Sequence, residues 1–103
     1  MNNNRQWIVD FKNVEKKLKK DIKKGLIDDD DIKSIKQWAS QIEMHGPDFL
    51  AEQTYWADHE LSGELQGYRS SSFSFAGRII YKIKGKKLIV KVIKITADHN
   101  YKK

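Results

Sequence analysis

Cysteine is absent from this 103-residue sequence. That excludes disulfide frameworks, thiolate zinc sites and cysteine nucleophiles together, and makes the chain indifferent to redox compartment. Aliphatic runs are no longer than three residues and the start, Met1-Asn2-Asn3-Asn4-Arg5, is polar, so neither a signal peptide nor a membrane span is expected. The cytoplasm is the expected compartment. Proline occurs once, beside Gly46, and no internal repeat or low-complexity segment appears. No GxxxxGK motif, HExxH pair or glycine-rich phosphate loop is present, which leaves nucleotide hydrolysis and zinc chemistry without support.

What the chain does contain is enough for a core. It is 39% hydrophobic and 11% aromatic against 33% charged residues, a balance that argues against wholesale disorder. Its length fits one domain spanning 1–103, with no room for a separate cofactor-binding domain.

Charge is unevenly placed. Residues 1–40 hold ten Lys/Arg against seven Asp/Glu, or +3. Residues 41–64 hold six acids and no Lys or Arg, or −6, and residues 65–103 hold ten basic residues against the single acid Asp98, or +9. Clustered Lys/Arg attract phosphates and release their counterions, so the C-terminal third suits a polyanion. An acidic partner protein, or a lysine-rich solubilising face, would satisfy the same field.

Periodicity supplies the elements. Trp7, Ile8, Val9 and Phe11 suit a first strand within Gln6 to Lys12. Val14, Leu18 and Ile22 recur every four residues and predict a first helix, with Asn13 as its N-cap and Gly25 at its end. The run Asp28 to Asp31 supplies a cap and negative charge for a second helix with a buried stripe of Ile32, Ile35, Trp38, Ala39 and Ile42, ending before Gly46-Pro47. The acidic stretch from Asp48 to Gly67 shows no period and reads as a loop with one helical turn. Strand grammar follows in Tyr68 to Phe75, Gly77 to Lys84 and Lys87 to Thr96. In the second of these, Ile79, Tyr81 and Ile83 point one way and Arg78, Ile80, Lys82 and Lys84 the other. The expectation is an α+β fold of order β-α-α-β-β-β, with an antiparallel helix hairpin on one sheet face and a three-stranded antiparallel meander.

If helices cover one face, the other presents Arg78 and Lys82 to a ligand. His59, before the strands, and His99, after the last one, are candidates for proton transfer, and Arg78 for stabilising charge on a phosphate. No metal is required for such chemistry. Each has a plainer alternative: a backbone-bonded His99, an Arg78 paired with a carboxylate, a Tyr101 whose ring closes the core.

Four segments resemble the RelE/ParE superfamily of type II toxins, nearest to the YafQ- and YoeB-like mRNA interferases. They are Asp58-His59-Glu60-Leu61-Ser62-Gly63, Gly67-Tyr68-Arg69, Gly77-Arg78-Ile79-Ile80-Tyr81 and His99-Asn100-Tyr101. The likeness spans about 45 residues, Asp58 to Tyr101. It implies a metal-independent endoribonuclease with no cofactor that cleaves ribosome-bound mRNA to a 2′,3′-cyclic phosphate or its hydrolysed form. A cognate antitoxin would silence it in an oligomeric toxin–antitoxin complex, and no membrane partner is implied. By position the resemblance makes Arg78 the phosphate-stabilising arginine, His99 a general acid, His59 a participant in proton transfer and Tyr101 the aromatic that orients substrate. Arg69 falls where relatives carry a basic residue toward RNA, and Lys82 and Lys84 join it as RNA-binding residues. Ser72 and Ala76 stand where the YafQ pattern has a strand histidine and a following acid, so the implied site is a hybrid of RelE-like and YafQ-like parts. A ParE-like gyrase inhibitor, or a weakened member that only binds RNA or antitoxin, is the alternative.

Overall fold

A computed structural model of the protein describes residues 6–97. Strand β1 (Ile8–Asp10) leads through a 3₁₀ turn at Lys12–Val14 into helices α1 (Glu15–Lys23) and α2 (Asp29–His45) and a one-turn helix α3 (Asp48–Ala51). Strands β2 (His59–Glu60), β3 (Arg69–Ser72), β4 (Arg78–Lys84) and β5 (Ile89–Thr96) follow. They form one sheet of order β1-β5-β4-β3-β2. Neighbours run antiparallel except β1, which lies parallel to β5 with Val9 opposite Val90. The expected order therefore stands, but the acidic stretch, expected as a loop with one helical turn, holds α3, 3₁₀ turns at Thr54–Trp56 and Gly63–Leu65, and the two-residue β2.

Helix α2 begins as its acidic run predicts. The Asp28 side chain accepts the Asp31 N–H at 2.9 Å while Asp31 Oδ2 accepts the Asp28 N–H at 3.1 Å. This reciprocal cap satisfies two otherwise orphaned donors and places negative charge at the positive end of the helix. The helix ends at Gly46, whose φ of 86° lies in the region that costs a side chain most. Helix α1 starts differently from expectation: Asn13 lies inside the 3₁₀ turn, and no side chain caps the helix.

The core lies between α2 and one sheet face. Trp38 and Ile42 are fully buried against Ile79, Tyr81, Val90 and Val92, and the Trp38 ring meets Tyr81 edge-on at 5.4 Å between centroids. Two expected stripes are rotated. Ile22 is 38% exposed, and Ile32 and Ala39 are only partly buried, because the three line an open groove of about 500 Å³ between α1 and α2. Asp21 takes the inner position on α1 that Ile22 leaves, and its carboxylate pairs with Lys17 at 2.8 Å.

One strand ends earlier than its alternation predicts. β3 stops at Ser72, and the Phe73 N–H donates to the Gly77 carbonyl at 3.1 Å to close a tight loop. Phe73 is buried, whereas Phe75, two residues on and so on the same side of a strand continued to Phe75, is 94% exposed.

Candidate functional site

Alternation along β3 and β4 sorts the sheet's residues, and in β5 a one-residue register shift at Ile93 brings Lys94 to the same side as Lys91. Ile79 and Tyr81 turn toward the helices and are fully buried, which sends Arg78, Ile80, Lys82 and Lys84 to the uncovered side. Register adds cross-strand neighbours to that side: Ser72 and Thr96 flank Arg78, Lys94 lies opposite Ile80, and Lys91 opposite Lys82. Five cations thus share one face: Arg78, Lys82, Lys84, Lys91 and Lys94. Like charges placed directly across a ladder, as Lys82 and Lys91 are, oppose strand pairing until a counter-charge arrives. Asp10, opposite Lys91 on β1, brings one negative charge to that row, its carboxylate bonded to the Lys12 N–H. A bound polyanion would supply the rest. Lys82 also lies over the Tyr68 ring, with Nζ 5.6 Å from the centroid.

Arg78 opens β4 and folds back over the β3–β4 loop. Its Nη1 donates to the carbonyls of Gly77 at 2.9 Å, Phe75 at 3.2 Å and Ser74 at 3.4 Å. Among the described residues, Nε and Nη2 of Arg78 carry no hydrogen bond, so that edge of the fork can meet a phosphate.

His59 belongs to β2, not to a loop before the strands, and pairs with Ser70, which in turn lies opposite Ile80. Register therefore puts His59 on the Arg78 side. Two strand spacings and two residues separate them, roughly 12 Å between Cα atoms. The ring is exposed, and its Nδ1 lies 2.9 Å from the Ala57 carbonyl oxygen. A carbonyl only accepts, so Nδ1 carries the hydrogen and the neutral ring keeps Nε2 as its acceptor. His99 and Tyr101 lie outside the described residues.

Arg69 is placed differently from its expected meeting with RNA. It lies opposite Tyr81 and so faces the helix side of the sheet. Its Nε and Nη2 donate to Asp58 Oδ1 at 2.9 and 2.5 Å, Nε also reaches the Tyr81 hydroxyl at 3.2 Å, and Nη1 lies 3.5 Å from Glu60 Oε2. The Asp58 side chain is 0% exposed. Its Oδ2 accepts the Ser71 hydroxyl at 2.6 Å and the Tyr81 hydroxyl, and Ser71 Oγ accepts Trp38 Nε1–H at 2.9 Å.

Five side chains from α2, the acidic loop, β3 and β4 thus form one fully hydrogen-bonded buried network. Burial, then the hydrogen bond to Asp58, raises the Tyr81 phenol above its ordinary range. For Arg69, burial works downward, but the bonds to Asp58 and Tyr81 together with the charge of Asp58 outweigh it, and the net direction is up. Sequence reasoning missed this network. The only signal was an acid, Asp58, in a stretch without Lys or Arg, followed eleven positions later by the next Lys or Arg, Arg69. Among the described residues no group of three His, Asp or Glu side chains is placed to hold a metal ion.

Compared with solved structures, the chain is similar to YafQ from E. coli strain BL21(DE3), with a TM-score of 0.61 at 17% identity over 90% of this chain and 94% of that one. The Staphylococcus aureus YoeB–YefM complex matches with a TM-score of 0.60 at 18% identity, covering 89% and 97% of the two chains. The E. coli DinJ–YafQ toxin–antitoxin complex matches with 0.57 at 19%, covering 88% and 91%. No family model and no curated relative matches the sequence. At these identities the likeness is one of fold, and the fold is that of RelE-like type II toxins.

Proposed function

We propose that this chain, with the fold of RelE-like toxins as premise, is the toxin of a type II toxin–antitoxin pair and cleaves messenger RNA in the ribosome. The observation that carries the reading is the helix-free sheet face on which Arg78, His59 and four lysines lie together. RNA cleavage of this kind asks little of a protein beyond charge and proton transfer. A base takes the proton of the 2′-hydroxyl, and the 2′-oxygen forms a bond to phosphorus. The bond to the 5′-oxygen breaks as an acid delivers a proton to it, leaving a 2′,3′-cyclic phosphate and a 5′-hydroxyl.

In this scheme Arg78 holds the non-bridging oxygens through Nε and Nη2. His59, with Nε2 as acceptor, serves as base. His99 serves as acid and Tyr101 orients the substrate. Thr96, the cross-strand partner of Arg78, ends β5, and His99 follows it by three residues, a span of about 11 Å at most. That reach supports a shared phosphodiester. Lys82 and Lys84 extend the phosphate track along β4. Arg69 takes a positioning role, holding Asp58 and hence the strand that carries His59. Ser72, beside Arg78 where the YafQ pattern has a histidine, leaves the relay to His59 and His99.

The antitoxin partner, the cytoplasmic site of action and the ribosome belong to the same proposal. For the chain itself, no helix among the described residues is long and apolar enough to cross a membrane. Brief induction of wild type, Arg78→Ala and His99→Ala in growing cells, followed by primer extension on a translated message, tests the reading. Wild type is expected to leave cuts within the reading frame, and both variants to leave few or none. Growth arrest with intact messages and collapsed DNA supercoiling would replace this reading with gyrase inhibition.

A further inference from the structure

We infer that the β3–β4 loop seats one unpaired nucleobase of the bound RNA, with the ring of Phe75 as its stacking surface. The inference rests on the ribonuclease reading for the nature of the polyanion and adds a residue that neither the resemblance nor the fold assigns.

The observation is an aromatic ring presented to water by a closely hydrogen-bonded loop. Phe75 is 94% exposed, although burial is where a phenyl ring ordinarily contributes to stability. Looseness does not explain this. The Phe73 N–H is tied to the Gly77 carbonyl at 3.1 Å, the Gly77 N–H to Ser74 Oγ at 2.9 Å, and Arg78 Nη1 to three loop carbonyls, that of Phe75 among them. Phe73 anchors the loop beneath. Its ring packs so closely on Gly77 that a Cβ there would fall 2.4 Å from Cζ, which reserves the position for glycine. A phenyl ring turns about only two side-chain bonds and here rides on a tied backbone, so it gives up little conformational freedom on binding, and base stacking uses either face.

The surroundings select a base over an aliphatic partner. Beside the ring is a pocket of about 330 Å³ that joins the polar side chains of Ser34, Gln37, Ser72 and Ser74 to the rings of Tyr55, Trp56 and Phe73. Hydroxyls and an amide both donate and accept, which suits the edge of a base and leaves an aliphatic side chain with unmet polar neighbours. Tyr55 is itself 58% exposed. Ser72 is both a wall of this pocket and the cross-strand neighbour of Arg78. A phosphate at the guanidinium therefore lies next to a seat for a base of the same strand. The cationic face leading to the loop complements RNA in charge.

The test uses the full chain and a single-stranded 2′-O-methyl RNA of about twelve nucleotides carrying one 2-aminopurine, whose fluorescence is quenched by stacking. Wild type is expected to quench, and Phe75→Tyr and Phe75→Trp to quench as well. Phe75→Ala and Phe75→Leu are expected to lose the quench and to bind roughly 5- to 100-fold more weakly, with melting temperatures unchanged because the ring is outside the core. Leucine keeps the hydrophobic bulk but not the flat face, so quenching retained by Phe75→Leu overturns stacking. Phe75→Ala binding and quenching like wild type overturns the inference and leaves the ribonuclease reading standing. If that variant instead loses only antitoxin binding, the loop belongs to a protein interface and the inference is likewise overturned. Wild type that binds no free RNA likewise overturns the inference, while the ribonuclease reading falls only if the primer-extension experiment shows intact messages.

Discussion

Asp58→Ala should destabilise this protein more than any change on its outer surface. The carboxylate is completely buried and accepts hydrogen bonds from Ser71, Tyr81 and two nitrogens of Arg69. Removing it strands partners of different kinds. Ser71 and Tyr81 are 0% exposed and cannot turn to water, and a buried donor left without an acceptor costs about 1–3 kcal/mol. The Arg69 side chain is 21% exposed, so its guanidinium recovers part of its hydration, which places the total near the middle of the roughly 3–5 kcal/mol known for broken buried pairs.

About 4 kcal/mol is a large share of the 5–15 kcal/mol that holds a domain together. For a domain of this size it corresponds to a fall in Tm of roughly 15–30 °C. Tyr81→Phe removes one donor and leaves Asp58 bound by Ser71 and Arg69, so its cost should be smaller, about 1–2 kcal/mol. Urea and thermal unfolding followed by circular dichroism measure both. A loss below about 1 kcal/mol for Asp58→Ala, the size expected of an exposed ion pair, would refute the network's role.

Alkaline pH probes the same network. The Tyr81 phenol is raised above its ordinary 10.0 in the folded protein, so above pH 10 the unfolded chain binds fewer protons than the folded one. The contribution is complete below pH 10 and declines as pH rises, and wild type should lose up to about 1.4 kcal/mol per pH unit more than Tyr81→Phe. Gly77→Ala should cost about 1–3 kcal/mol by overpacking against Phe73, read as a lower urea midpoint. Lys82→Ala and Lys84→Ala should each reduce the salt dependence of single-stranded RNA affinity by about 0.7 in logarithmic slope, measured by fluorescence anisotropy across ionic strengths.

Local patterns were legible in the sequence, and non-local ones were not. The alternation of Ile79, Tyr81 and Ile83 with Arg78, Lys82 and Lys84 sorted β4 into a buried and a cationic face because side chains on a strand repeat every two residues. The limits of α2 were marked by Asp28 and by Gly46-Pro47, each acting on its own backbone. The same rule failed from Phe73 to Phe75, where strand-like spacing continues into a loop closed by a hydrogen bond to Gly77. The parallel pairing of β1 with β5 joins residues some eighty positions apart, and nothing in Ile8–Asp10 names its partner. The expectation that Arg69 meets RNA came from the resemblance, and nothing local in β3 shows which partner an arginine there takes. That choice depends on Asp58, in a stretch without period.

Arg78, on the uncovered cationic face, is proposed to stabilise charge at the scissile phosphate. Single-turnover cleavage of a message on programmed ribosomes by purified wild type and Arg78→Ala tests it most directly. The predicted result is a rate reduced by about 10²–10³ in a variant that melts as wild type does, with wild type yielding a 2′,3′-cyclic phosphate end. Equal rates for the two proteins would contradict it.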